Sequence, residues 1–167
     1  LMKLVIVSTQ SIEELQKNVV ENFSTIRNTE AQPIIPQTTL LSSTYDAHVT
    51  YITPEKDLRK IELMWELSPK FANDLENKTA GIVSHVLGHE GQKSLLAQLK
   101  KDNLAEGLTA GSASIGVNNI LFSLEVALTD KGIKDVDTVI ERCFQAITKF
   151  KNNGIPPYVY EEMQKMA

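Results

Sequence analysis

In two separate segments a large apolar side chain recurs at every second position, and this alternation limits most strongly the folds open to the chain. In residues 60–67 and again in residues 120–128, every second side chain is a large apolar one. A period of two with one polar face is typical of half-buried, antiparallel strands. We therefore expect a sheet with one face packed against other elements of the chain.

Apolar residues at helical spacing follow several helix-start signals. Ser11-x-x-Glu14 has the form of a capping box, and Ser68-Pro69 is typical of a helix start. We predict helices from Ser11 to residue 27, from Ser68 to Gly88 (with Leu75 in its buried stripe), after Ser94, from Thr129 to Gly154, and from Pro156-Pro157 onward. Together with further strands at 3–8 and 48–53, these predict an α+β fold. Its two layers would be a mainly antiparallel sheet and long helices packed against it.

Residues 28–46 differ from the segments on either side. They contain Pro33 and Pro36, many Thr, Ser and Gln residues, and no apolar periodicity. We interpret them as a linker between residues 1–27 and residues 47–167. Because Leu1 precedes Met2 and the chain opens directly into a predicted strand, we expect it to be part of a longer protein.

Charge, apolar runs and cysteine content exclude several functions. A net charge of −4 argues against a general nucleic-acid partner, and no apolar run is long enough to span a membrane. The one cysteine, Cys143, cannot form an internal disulfide and is expected to be inert core. Reducing cytoplasm and periplasm both suit this composition, so the compartment stays open between them.

Two histidines have the spacing of zinc ligands. His85 and His89 are four residues apart, as in the inverted zinc motif H-x-x-E-H, but the glutamate position holds Gly88. Glycine cannot take a proton from metal-bound water. A third ligand is not evident, since Glu161 and Glu162 lie far downstream. We therefore expect no metal in this segment, and the simpler interpretation is a helix end with two partly exposed histidines.

A stretch rich in Gly, Ala and Ser suggests a different kind of site. Many side chains in residues 106–116 are small. Gly88 and Gly91 precede this stretch in the sequence, with one predicted helix between. Such a strand lets another backbone approach closely, and its edge can pair with an extended peptide. A tight turn and a barely packed edge would have the same composition, and spacing alone does not decide between the two.

Residues 85–100 also carry a long motif. His85-Val86-Leu87-Gly88-His89-Glu90-Gly91 and the following Gln-Lys-Ser-Leu-Leu-Ala-Gln-Leu-Lys resemble the L-x-G-H-E-G-x-x-S-L-L-x-x-L-K signature of the insulinase/pitrilysin family of zinc metallopeptidases. In that family the signature opens a second, non-catalytic homologous domain. The resemblance implies that residues 1–27 close the preceding catalytic domain, and that residues 47–167 are most of the second domain, truncated at its end.

The resemblance also implies a function. The parent would be a zinc metalloendopeptidase acting on peptides or small unfolded proteins, with its zinc motif upstream and no zinc in this segment. The segment would contact the parent's other domains and form part of the wall of its substrate chamber. It would also supply a peptide-binding exosite, formed by His85, Gly88, Glu90, Leu108, Thr109 and Ala110. The family typically has Leu-Val-Gly-Gly where this chain has Leu108-Thr109-Ala110-Gly111.

Two alternatives stay open. In the first, the parent has lost activity and serves as a structural or presenting subunit of the same family. In the second, the chain is a free-standing α+β interaction module. An intact, a degraded or an absent upstream H-x-x-E-H motif would separate the three interpretations.

Overall fold

The computed structural model describes residues 2–32, 34, 39–41, 47–71, 74 and 76–166. The chain divides into two units, residues 1–35 and residues 36–167, which are described separately here. None of the helices in the described ranges is both long and apolar enough to cross a lipid bilayer.

The first unit contains helix α1, Ile12–Phe23. Its start follows the predicted capping box: the Glu14 amide donates to Ser11 Oγ, and the Ser11 amide donates to Glu14 Oε2, each at 3.2 Å. The predicted strand at 3–8 is wrong. Val7 is 95% exposed, and no strand lies among the described residues of this unit to supply a partner. An apolar segment becomes a strand only where another strand satisfies its backbone groups.

The second unit contains a three-stranded antiparallel sheet. Its strands are β1 (Lys60–Leu67), β2 (Ala105–Ser114) and β3 (Ile120–Leu128), in the order β1-β3-β2. Along β3 every second residue is buried, as the alternation predicts. The strand expected at 48–53 is absent from the structure, and Tyr51 and Ile52 are 86% and 82% exposed. The side chains of residues 48–53 favour a strand, but strand propensity depends on packing against neighbouring strands, and this segment has none in the described ranges.

Four helices accompany the sheet: α2 (Thr79–Leu87), α3 (Leu95–Lys101), α4 (Val136–Asn153) and α5 (Pro157–Met166). The buried face of β3 forms one apolar core with α2, α3 and α4. The largest fully buried side chains in that core are Leu99, Leu104, Leu124, Val126, Val139 and Cys143. The predicted two-layer α+β architecture is confirmed.

Helix α2 begins later than expected. Pro69–Phe71 form a single 3-10 turn, and α2 starts only at Thr79. The Asp74 carboxylate accepts hydrogen bonds from the Thr79 hydroxyl at 2.5 Å and the Thr79 amide at 3.2 Å, which satisfies a backbone donor at the helix start. Leu75 lies outside the described residues.

Helix α4 also begins later than expected. The Thr129 hydroxyl accepts from the Gly132 amide at 2.9 Å, and a 3-10 turn over Gly132–Lys134 precedes the helix. Its end at Gly154 is as predicted, with a φ of 73° that favours glycine. Helix α5 follows and packs against α2, which is the contact that matters for the sites below.

Candidate functional site

The end of α2 lies against β2. A Cβ built on Gly88 would lie 2.9 Å from the Ser84 carbonyl oxygen and 3.6 Å from the Ala110 amide nitrogen. The φ of Gly88 is −82°, so its backbone conformation does not require glycine. The absent side chain matters instead because it allows the helix end to approach the strand. The structure thus brings together Gly88 and Ala110, which lie in separate segments of the sequence.

The hydrogen bonds of β3 show which edge of β2 is open. The Leu128 amide donates to the Arg59 carbonyl at 2.8 Å, and the Ile115 amide donates to the Asn119 carbonyl at 2.9 Å. Since backbone groups alternate in direction along a strand, even-numbered residues of β3 face β1 and odd-numbered ones face β2. By the register, Thr109 and Gly111 lie opposite Glu125 and Ser123 and bond to them.

The remaining backbone groups of β2 point away from the sheet. The N–H and C=O groups of Leu108, Ala110 and Ser112 therefore lie along an outer edge, and no strand in the described ranges pairs with it. Gly88 lies beside the Ala110 amide on this edge. The edge is a row of donors and acceptors of the kind that accepts an additional strand.

The side chains along β2 differ in what they could offer a ligand. Leu108 is only 8% exposed and belongs to the core, so its side chain is not available and only its backbone is. Thr109 is exposed and Ala110 half-buried. A Cβ built on Gly111 would have nothing within 4 Å. Glu90 is exposed just beyond α2. Of the sequence-predicted residues, Leu108 and Ala110 offer backbone groups along the outer edge of β2, whereas the Thr109 backbone bonds to β3. The others lie at the end of α2.

The two histidines lie beside a carboxylate from α5. Glu162 Oε2 is 3.6 Å from His85 Nε2 and 3.6 Å from His89 Nε2. All three candidate ligand atoms lie within 4.8 Å of one another. Glu162 is therefore a candidate third ligand, contrary to the expectation from sequence that none was evident. It was set aside because it lies far downstream, and the sequence does not show that α5 returns to α2.

The environments of the two imidazoles differ. His85 Nε2 is buried and has no hydrogen-bond partner. His89 Nδ1 accepts a hydrogen bond from the Gly91 amide at 2.9 Å, which orients its Nε2 toward Glu162. Their rings meet edge to face at a centroid distance of 5.8 Å, and the Tyr158 ring of α5 packs against His89. His85 is therefore directed toward α5.

Cys143 behaves as the sequence analysis predicted. It is fully buried on the inner side of α4, and burial raises the pKa of its thiol to about 11. The thiolate, which is the reactive form, is therefore scarce at neutral pH. Cys143 is core rather than part of a site.

The α+β fold and the histidine pair without its glutamate agree with a family of inactive peptidase domains. The profile of the peptidase M16 inactive domain matches residues 1–166, and the chain belongs to that family. The resemblance to the insulinase/pitrilysin family is thereby confirmed.

Similar proteins include three named peptidases or processing enzymes. The A-factor-processing enzyme of Saccharomyces cerevisiae is 30% identical over 167 residues, which are 100% of this chain and 16% of that protein. The insulin-degrading enzyme of Drosophila melanogaster is 26% identical, over 99% of this chain and 17% of that protein. Nardilysin of Rattus norvegicus is 28% identical, over 99% of this chain and 15% of that protein. The chain thus spans a small part of each relative.

Among solved structures, the crystal structure of pitrilysin has the same fold. The match has a TM-score of 0.72 at 22% identity and covers 93% of this chain and 16% of that chain. At this level of identity, the similarity concerns the fold alone.

Proposed function

We propose that this segment belongs to a zinc metalloendopeptidase and holds an extended peptide substrate along the outer edge of β2. The observation that carries the proposal is the outward direction of the backbone groups of Leu108, Ala110 and Ser112. The hydrolytic zinc of the parent would be bound by residues outside this chain. The segment would then contribute affinity for the substrate rather than chemistry.

Strand addition suits an enzyme that accepts many peptides. Backbone hydrogen bonds do not depend on the identity of the peptide side chains, so the edge holds many sequences in one extended conformation. Side chains in a strand stand roughly perpendicular to the sheet. The Ala110 methyl group fits this, since it points toward the end of α2 and would lie 3.7 Å from a Cβ on Gly88. Alanine in place of the family's usual glycine therefore leaves the edge open.

Gly88 and Glu90 would define one end of the peptide. Gly88 leaves the Ala110 amide uncovered, whereas any larger residue would place atoms within 4 Å of it. Glu90 is exposed close by in the sequence and has the charge to attract a peptide's free amino terminus. His85 is directed toward Glu162, so its part in peptide binding would be secondary.

The full-length parent tests the proposal through Ser112→Pro. Proline removes the outward N–H of residue 112 and places its ring in the path of a partner strand, while the hydrogen bonds of β2 to β3 use other residues. We expect the KM for long peptides to rise roughly five- to tenfold, the effect of losing one or more hydrogen bonds of about 1 kcal/mol each. Short peptides that cannot reach both the edge and the zinc should be unaffected.

Ser112→Ala is the matched control, because it removes the same hydroxyl and keeps the backbone N–H. Its KM for long peptides should match that of the unaltered enzyme. An equal effect of Ser112→Pro on long and short peptides, or no effect on either, would contradict the proposal. Failure of the parent to cleave any peptide would instead support the inactive, structural alternative.

A further inference from the structure

We propose that His85, His89 and Glu162 bind one divalent transition-metal ion, with zinc as the preferred occupant. The site is separate from the hydrolytic zinc of the parent and from the outer edge of β2. His85 lies on α2, His89 lies two residues beyond its end, and Glu162 lies on α5.

The distances fit a metal better than they fit direct hydrogen bonds. At 3.6 Å, Glu162 Oε2 is too far from either Nε2 for a hydrogen bond. Ligands about 2.0–2.1 Å from a tetrahedral zinc ion are separated from one another by about 3.4 Å. Two of the three separations are therefore close to the tetrahedral value. One ligand atom from each of the three residues lies within 4.8 Å of the other two, so binding would require the histidine side chains to rotate closer together.

The buried nitrogen of His85 supports the same conclusion. A buried polar atom with no partner is uncommon in folded proteins, and an unoccupied ion site is one of its explanations. Two imidazoles and one carboxylate suit zinc, and they leave a fourth position for water. Because Gly88 stands where the related motif has glutamate, no side chain at that position can accept a proton from that water. The ion would therefore tie α5 to α2 rather than hydrolyse a substrate.

Metal binding would change the tautomer of His89. Since its Nδ1 accepts from the Gly91 amide, the proton of the neutral ring lies on Nε2. Coordination through Nε2 moves that proton to Nδ1, so no proton is released and the hydrogen bond from Gly91 is lost. The Gly91 amide is thus a reporter of occupancy that does not depend on enzymatic activity.

Zinc titration of the 167-residue chain, after removal of metal with a chelator, tests the site. We expect calorimetry to show one Zn²⁺ per chain and a higher melting temperature when it is bound. The Gly91 amide should shift in NMR spectra during the titration. Co²⁺ in place of Zn²⁺ should give the visible absorption bands of a tetrahedral complex.

Three variants and one control identify the ligands. His85→Ala, His89→Ala and Glu162→Gln should each weaken zinc binding at least about tenfold. Glu161→Gln makes the same chemical change one residue away on α5 and should leave binding unchanged. Glu162→Gln alters an exposed side chain and should fold normally, as circular dichroism would verify. Absence of saturable uptake, or uptake that none of the three variants weakens, would overturn the proposal.

Discussion

Asp74 is the residue whose side chain does most to place the start of α2. The hydrogen bond from the Thr79 hydroxyl is the largest of several interactions that lower the pKa of this carboxyl from 3.8 to about 2. Hydrogen bonds from Asn77 act in the same direction. A carboxyl with a lowered pKa in the folded state stabilises that state while it is ionised.

This arrangement gives a pH-dependent prediction. The contribution of Asp74 is complete above about pH 4, the region of its unfolded pKa, and is lost as the pH falls through the folded value of about 2. We expect Asp74→Asn to lower the melting temperature at pH 7, and this difference should shrink toward zero as the pH approaches 2. Thr79→Val, which removes the strongest partner, should raise the pKa of Asp74. A melting-temperature difference that is constant from pH 7 to pH 2 would contradict this assignment.

Residue patterns alone could not complete either site. The histidine motif around His85 was visible in the sequence itself. Residues 108–110 were assigned to a peptide-binding site by resemblance to the family. The outward direction of the Ala110 backbone groups depends on the strand register, which no residue type encodes. Glu162 depends on the return of α5 to α2, a tertiary contact between elements about 70 residues apart.

At the scale of elements, the predictions succeeded where the chain itself supplies the partner. Strands β1 and β3 lie side by side and share one buried face, so their alternation was a reliable signal. Residues 3–8 and 48–53 also carry apolar, strand-forming side chains, yet they are exposed in the structure and form no strand. Strand propensity shows that a segment can form a strand, but a strand forms only where a neighbouring strand pairs with it.

Helix starts were the other source of error. Ser68-Pro69 and Thr129 were both interpreted as starts of long helices, and each instead precedes a 3-10 turn. At α2, hydrogen bonds to the Asp74 carboxylate fix the later first residue, whereas at α4 the Thr129 hydroxyl accepts from Gly132 in the preceding 3-10 turn and no side chain caps the helix itself. The Asp74-x-x-Asn77-x-Thr79 spacing was a local signal that could have placed α2 correctly.

For the whole molecule, the segment to test is residues 28–46, whose composition predicts a linker. The division between units falls after residue 35, within this segment. We infer that residues 1–27 belong with a preceding domain of the parent and that residues 28–46 are a linker. Limited proteolysis should therefore cut first within 28–46, because linkers offer accessible backbone. Early cuts within β1, with 28–46 protected, would show that the segment is part of a packed domain.

Residue-resolved amide hydrogen exchange would show whether the outer edge of β2 holds an extended peptide. In the free chain, the amides of Thr109 and Gly111 should be protected by β3, whereas those of Ala110 and Ser112 should exchange rapidly. Excess of an unstructured synthetic peptide of about ten residues, with a free amino terminus, should slow exchange at Ala110 and Ser112 and leave Thr109 and Gly111 nearly unchanged. Unchanged exchange at Ala110 and Ser112, or protection that appears along β1 instead, would contradict the account.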